Sequence, residues 1–205
     1  MNKLGMVINV AHASDEAILQ TVAASRQPII YSHGGFRGIV DNPRCLTDAA
    51  AKAIAAKGGV IGIQFGSTFN NPKYAEWTRS KRAPAPSAVP AAPARRPAST
   101  LAEVDKDVAR GLPYVFKGTI PDEYWMGTDQ LARVIGYGVK LVGEDHLALG
   151  SDFDGGPPLP RQIKDVSDYP EMKKALMQIG YSEQRIRKIL GLNWLRVIRQ
   201  VTEGR

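Results

Sequence analysis

Pro28-Ile29-Ile30-Tyr31-Ser32-His33-Gly34-Gly35 runs from a proline through apolar, largely β-branched residues to a histidine and two glycines. A run without polar alternation suits a strand covered on both faces, as in a parallel sheet, rather than one wetted on one side. Three other stretches share the pattern: Met6 to Ala11, Val60 to Phe65 and His146 to Gly150. Segments with helical spacing lie between them. Ser14-Asp15-Glu16 followed by Ala17, Ile18, Leu19 and Val22 reads as a cap, an acidic first turn and an apolar stripe. Thr47-Asp48 opens a second such segment that runs through Ala55 and stops at Gly58-Gly59, and Gln130 to Leu141 makes a third. Strand alternating with helix predicts an α/β fold with a parallel sheet.

From Arg82 to Ser99 the chain holds five prolines and no aromatic residue. It has little to bury and predicts an exposed, extended insertion; a solvated loop is a better reading than a proline-rich docking peptide. A short amphipathic helix over Thr100 to Arg110, a loop over Gly118 to Trp125, and helices over Tyr169 to Gln178 and Ser182 to Val201 complete the pattern. The expected organisation is a first part, 1–69, with three strands, an insertion, 70–117, and a last part, 118–205, with the fourth strand and the C-terminal helices.

At 205 residues, 43% apolar and 23% charged, the composition is that of a globular chain, and no apolar run reaches the roughly 18 residues of a spanning helix. The N-terminal run lacks a small-residue cleavage site and reads as a strand rather than a signal peptide. One cysteine, Cys45, allows no internal disulfide and no thiolate cluster, which favours a cytoplasmic setting. The net charge of +7 is concentrated: Lys73, Arg79, Lys81, Arg82, Arg95 and Arg96 stand against Glu76 alone. That segment has no aromatic residues interleaved in its proline-rich core, so nucleic acid is not the expected partner.

The residues for chemistry gather at strand ends. His12 and His33 each follow an apolar strand at its carboxyl end, where parallel α/β folds build their sites, and each is followed by small residues that leave the imidazole approachable. Either ring alone would often serve a loop carbonyl; two on successive strands favour a metal or substrate site. Gly150-Ser151-Asp152-Phe153-Asp154-Gly155-Gly156 follows the fourth strand, and a carboxylate there can accept a proton from an activated water. Asp152 comes first after the strand; Asp154, beside two glycines, reads equally as a turn residue. His146 lies at the other, structural end of its strand. Arg44, after the second strand, could hold a substrate carboxylate in a bidentate pair.

These segments, with Asn42-Pro43-Arg44, Leu46-Thr47-Asp48, Ala55-Ala56-Lys57-Gly58-Gly59-Val60-Ile61-Gly62 and Gly191-Leu192-Asn193-Trp194-Leu195-Arg196-Val197, give the chain a likeness: it resembles the membrane (renal) dipeptidase family of zinc peptidases. The resemblance implies a (β/α)8 TIM-barrel of the metal-dependent hydrolases, of which the chain carries about the C-terminal half. It implies hydrolysis of dipeptides with two zinc ions. His12 and His33 then match two histidine ligands of one zinc, Asp152 the catalytic carboxylate and Arg44 the substrate-carboxylate arginine. The departures are specific. The family's His-x-Asp pair and bridging glutamate have no match here, and two histidines fall short of the three protein ligands a zinc site ordinarily takes, so at most a partial site is expected. Asn9 stands where the family usually has an aspartate. Met1 reads as an internal methionine of a longer gene, and four strands as half a barrel with two unpaired edges. The leading expectation is a truncated zinc dipeptidase that needs its N-terminal half; the other is an inactive half-barrel that forms a homodimer or complements a missing half.

Overall fold

The computed structural model describes residues 1–81, 120–155 and 157–204, with the side chain of Asp154 outside that description. The proline-rich stretch from Arg82 to Ser99, the helix expected over Thr100 to Arg110 and the first residues of the loop expected before Trp125 lie outside the described residues.

Four strands, β1 (Ile8–Asn9), β2 (Ile29–Gly34), β3 (Val60–Ile63) and β4 (Leu147–Leu149), form one sheet in the order β1-β2-β3-β4, all parallel. The register sets Ile8 beside Ile29, Ile30 beside Val60 and Ile61 beside Leu147. The first strand is shorter than the run Met6 to Ala11. Residues 2–4 form a 3-10 turn closed by Gly5 at φ 63°, and the chain leaves the sheet once the Val10 amide has bonded the Ile30 carbonyl. His33, expected just past the second strand, lies within β2.

Eight helices of the described residues surround the sheet: α1 (Asp15–Ala24), α2 (Asp48–Ala56), α3 (Ser67–Asn70), α4 (Pro72–Ser80), α5 (Thr128–Val142), α6 (Tyr169–Gln178), α7 (Glu183–Arg187) and α8 (Asn193–Glu203). The Ser14 and Thr47 hydroxyls accept the Ala17 and Ala50 amides at 3.3 Å and so start α1 and α2 at the positions their sequences predict. The continuous helix expected over Ser182 to Val201 is broken by a wide π turn at Lys188–Leu192, where Gly191 departs from helical angles.

Alternation along the strands sorts the core into two layers. Ile29, Tyr31, Ile61, Ile63, Leu147 and Leu149 belong to the large buried cluster with Ile18, Ile54, Leu131 and Ile135 of the flanking helices. Each such aliphatic side chain contributes roughly 1.5–3 kcal/mol by leaving water. Val60 and Ala148 belong to a second cluster with Val197 and Val201 of α8, and Val7, Ile30 and Trp194 pack against it. Gly62 is required there, because a β-carbon would overlap the Ser32 carbonyl and come within 2.9 Å of the Trp194 ring.

The start of α8 alters the expectation of two open sheet edges. Asn193 Nδ2 donates to the Leu147 carbonyl at 2.8 Å and Trp194 Nε1 to the Leu149 carbonyl at 3.0 Å, so side chains take the outward carbonyls of β4. No strand lies beyond β1 among the described residues. No helix among them is long and apolar enough to cross a membrane.

Candidate active site

The two histidines are brought together by local backbone departures. His12 sits at φ 70°, in the left-handed region that residues with a β-carbon avoid, so the chain turns sharply after β1. In β2 the register slips between Tyr31 and Gly34. Strict alternation would send residue 33 to the side of Ile29 and Tyr31, and the irregularity releases it from that face. The imidazoles meet edge to face with Nε2 atoms 2.9 Å apart.

Behind them lies a polar support. Asn9 Oδ1 accepts the backbone amides of Ala11 and Ser32, each at 3.1 Å, which turns its Nδ2 toward Ser32 Oγ at 2.9 Å. Ser32 Oγ in turn lies 2.9 Å from His33 Nδ1, fixing the ring's plane. Burial is the first cause that lowers the His33 pKa below its usual value, with His12 and Arg44 adding to the effect and Asp152 opposing it. His12, Arg44 and Asp152 therefore all act on His33 electrostatically.

Asp152 follows β4 at φ 60°, a second left-handed position without glycine. Its Oδ2 accepts Gln64 Nε2 at 2.5 Å. Arg44 is held as a loop residue: its amide bonds Asn42 Oδ1 at 2.9 Å, its carbonyl accepts the Tyr31 hydroxyl at 2.7 Å, and its guanidinium carbon lies 5.7 Å from the Phe69 ring centre. No carboxylate pairs with it among the described residues. Cys45, next in the chain, is buried, and burial pushes its thiol up to about 12, which leaves it inert. His146 stays at the opposite end of the sheet, with Nδ1 2.8 Å from the Gly59 carbonyl.

The donor set fits part of a metal site. Zinc–nitrogen bonds of about 2.0–2.1 Å in a tetrahedron place two ligand nitrogens roughly 3.3 Å apart, close to the spacing of the two Nε2 atoms. Among the described residues no group of three or more His, Cys, Asp or Glu side chains could hold an ion. The pair offers two ligand nitrogens, fewer than the three protein ligands such a site ordinarily takes. Sequence reasoning passed over Gln64 by counting it inside the apolar run from Val60 to Phe65. The signal was present, for Gln64 is the polar residue just past β3, where the same rule selects His12 and Asp152 after β1 and β4.

The whole chain, residues 1–205, matches the family described as membrane dipeptidase (peptidase family M19). Dipeptidase 3 of Rattus norvegicus is 28% identical over 205 residues, which is 100% of this chain and 32% of the relative. An uncharacterized protein in the pqqA 5' region of Klebsiella pneumoniae is 29% identical over 201 residues, 98% of this chain and 57% of that one. Among solved structures, the probable dipeptidase PvdM from Pseudomonas aeruginosa superposes with a TM-score of 0.73 at 28% identity, over 100% of this chain and 52% of its own. A Rhodobacter sphaeroides metallo peptidase, crystallised with a phosphinate mimic of the dipeptide L-Ala-D-Ala, shares the fold at a TM-score of 0.69 and 21% identity, over 98% of this chain and 44% of its own. The chain thus spans between about a third and just over half of the length of these relatives. The structural neighbours are metallopeptidases of the (β/α)8-barrel fold, and the four parallel strands and their helices correspond to about half of such a barrel.

Proposed function

The chain belongs to the membrane dipeptidase family, hydrolases of peptide bonds, and from that premise we propose that it carries one side of a zinc dipeptidase centre. His12 and His33 would hold one zinc ion, Asp152 would move the proton, and Arg44 would anchor the carboxylate of a dipeptide. The observation that supports this most is the approach of the two Nε2 atoms to 2.9 Å on neighbouring strands. A bound zinc supplies Lewis acidity toward the peptide carbonyl and makes water easier to deprotonate. The chain's own residues do the rest. Ser32 and Asn9 orient the His33 ring. Asp152 takes a proton on its free oxygen while Gln64 holds the other, and returns it to the leaving amine. Arg44, without a carboxylate partner among the described residues, is available for a bidentate pair with the substrate.

The remaining ligands come from outside the described residues of this chain, either in the same polypeptide or on a second chain. The test is zinc content and dipeptide hydrolysis of the purified chain, alone and mixed with the complementary half of a barrel, with His12→Ala beside it. Zinc bound through His12, with hydrolysis on complementation, is the expected result. A folded chain that takes no zinc through His12 and gains no hydrolysis from any complement overturns it.

A second reading, a non-catalytic half that pairs with its own copy, is favoured by the exposed stripe Leu192, Leu195 and Ile198, each 44–45% exposed, along α8 and the turn before it. Sedimentation of metal-free protein as a monomer would remove this reading.

A further inference from the structure

Gln64 is 5% exposed and anchored on both sides, its amide bonding the Gly34 carbonyl at 2.8 Å and the Phe65 amide bonding the Ser151 carbonyl at 3.3 Å. It therefore stands between the strand of His33 and the loop of Asp152, in a place the backbone does not let it leave. Its amide has one permissible orientation. An oxygen turned toward the Asp152 carboxylate would repel it, so Nε2 faces Asp152 Oδ2 at 2.5 Å and Oε1 is left buried with no donor among the described residues. A side chain that leaves one end unmatched in order to present the other is placed for the contact it makes.

Asp152 needs such a contact. Its φ of 60° lies in the left-handed region, which Asp tolerates better than most residues but at a cost of roughly 1 kcal/mol that a fixed contact offsets. Gly155 closes the other side: its amide bonds the Asp152 carbonyl at 3.0 Å, and a β-carbon at 155 would overlap the carboxylate. Among the described residues Gln64 is the one side-chain donor to that carboxylate.

We propose that Gln64 is the positioning residue for Asp152, holding Oδ2 with a fixed N–H so that the other oxygen stays free and aimed during proton transfer. The role assigned to Asp152 rests on the dipeptidase reading above; the clamp itself does not. The experiment compares wild type with Gln64→Leu, which removes the donor, Gln64→Met, which keeps the length of the side chain without a donor, and Gln64→His, which returns a ring N–H. The first readout is the conformation of Asp152 in crystals of each full-length, metal-free chain. The expected result is that Asp152 leaves its left-handed conformation or loses side-chain order in Gln64→Leu and Gln64→Met, and that Gln64→His restores it. If Gln64→Leu does not fold, Gln64→Met gives the same readout.

The second readout is hydrolysis by the zinc-loaded, complemented protein. kcat should fall roughly 10- to 100-fold in Gln64→Leu with KM within about twofold, since a displaced proton-transfer group costs rate rather than binding. An Asp152 that keeps its conformation in both donor-free variants overturns the proposal, whether or not the protein hydrolyses anything. A displaced Asp152 in protein that shows no activity in any form supports the clamp and sinks the dipeptidase reading instead.

Discussion

His146 and His33 stand at opposite ends of the same sheet, and their surroundings differ in kind. At the amino end, His146 bonds the Gly59 carbonyl at 2.8 Å, Arg196 donates to the Gly58 and Asp145 carbonyls at 2.8 and 2.7 Å, and Glu144 is gripped by Arg185 and Lys188 at 2.6 and 2.8 Å. Most polar groups there are matched by residues far away in sequence, with Arg196 Nε left over, and they lock α8 under the strands. At the carboxyl end, His33 faces another imidazole, Gln64 keeps an oxygen without a donor among the described residues, and two non-glycine residues hold positive φ. Matched groups hold a fold together, whereas unmatched ones are what a ligand can still satisfy.

The largest expected effect tests that contrast directly. His33→Ala should lower zinc affinity by at least about 100-fold in competition with a chromophoric chelator, since loss of even a supporting group costs 10- to 100-fold. Its stability in excess chelator should move by less than about 1 kcal/mol. Asn193→Ala should do the reverse. Asn193 is 3% exposed and bonds the Glu144 and Leu147 carbonyls at 2.8 Å each, so its loss should cost about 2–3 kcal/mol in urea unfolding while zinc affinity stays within about twofold. His146→Ala removes one bond and should cost about 1 kcal/mol, again without touching zinc; a zinc defect in this variant would break the comparison.

The smallest effect is a pH dependence. Hydrogen bonds from Lys188 and then Arg185 hold the Glu144 carboxyl below its usual value of 4.5. A depressed carboxyl stabilises the fold above that usual value, and the contribution is lost as pH falls through the folded-state value. Acid unfolding of Glu144→Gln should therefore be less steep than wild type below about pH 4.5, with the melting temperatures of the two converging there.

Much of this division is legible in the sequence because it rests on local rules. A polar residue that ends a β-branched run marks the carboxyl rim, which picks out His12, His33 and Asp152, and a serine or threonine before an apolar stripe marks the starts of α1 and α2. Gln64 escaped because Phe65 follows it and extends the apolar run by one residue. The slip between Tyr31 and Gly34 has no composition signature, for it depends on how β2 registers with β3. The course of α8 was hidden for a similar reason. Its periodicity predicts a helix, but the break at Lys188–Leu192 and the bonds of Asn193 and Trp194 to β4 are set by tertiary contacts.

Those two bonds also bear on self-assembly. Copies adding head to tail through their sheets would have to match the last strand of one with the first strand of the next, and the last strand's outward carbonyls are already taken. Asn193 and Trp194 thus act as a latch on that edge: any strand that is to pair with β4, from a second copy or from a complementary half of a barrel, must first displace their two bonds.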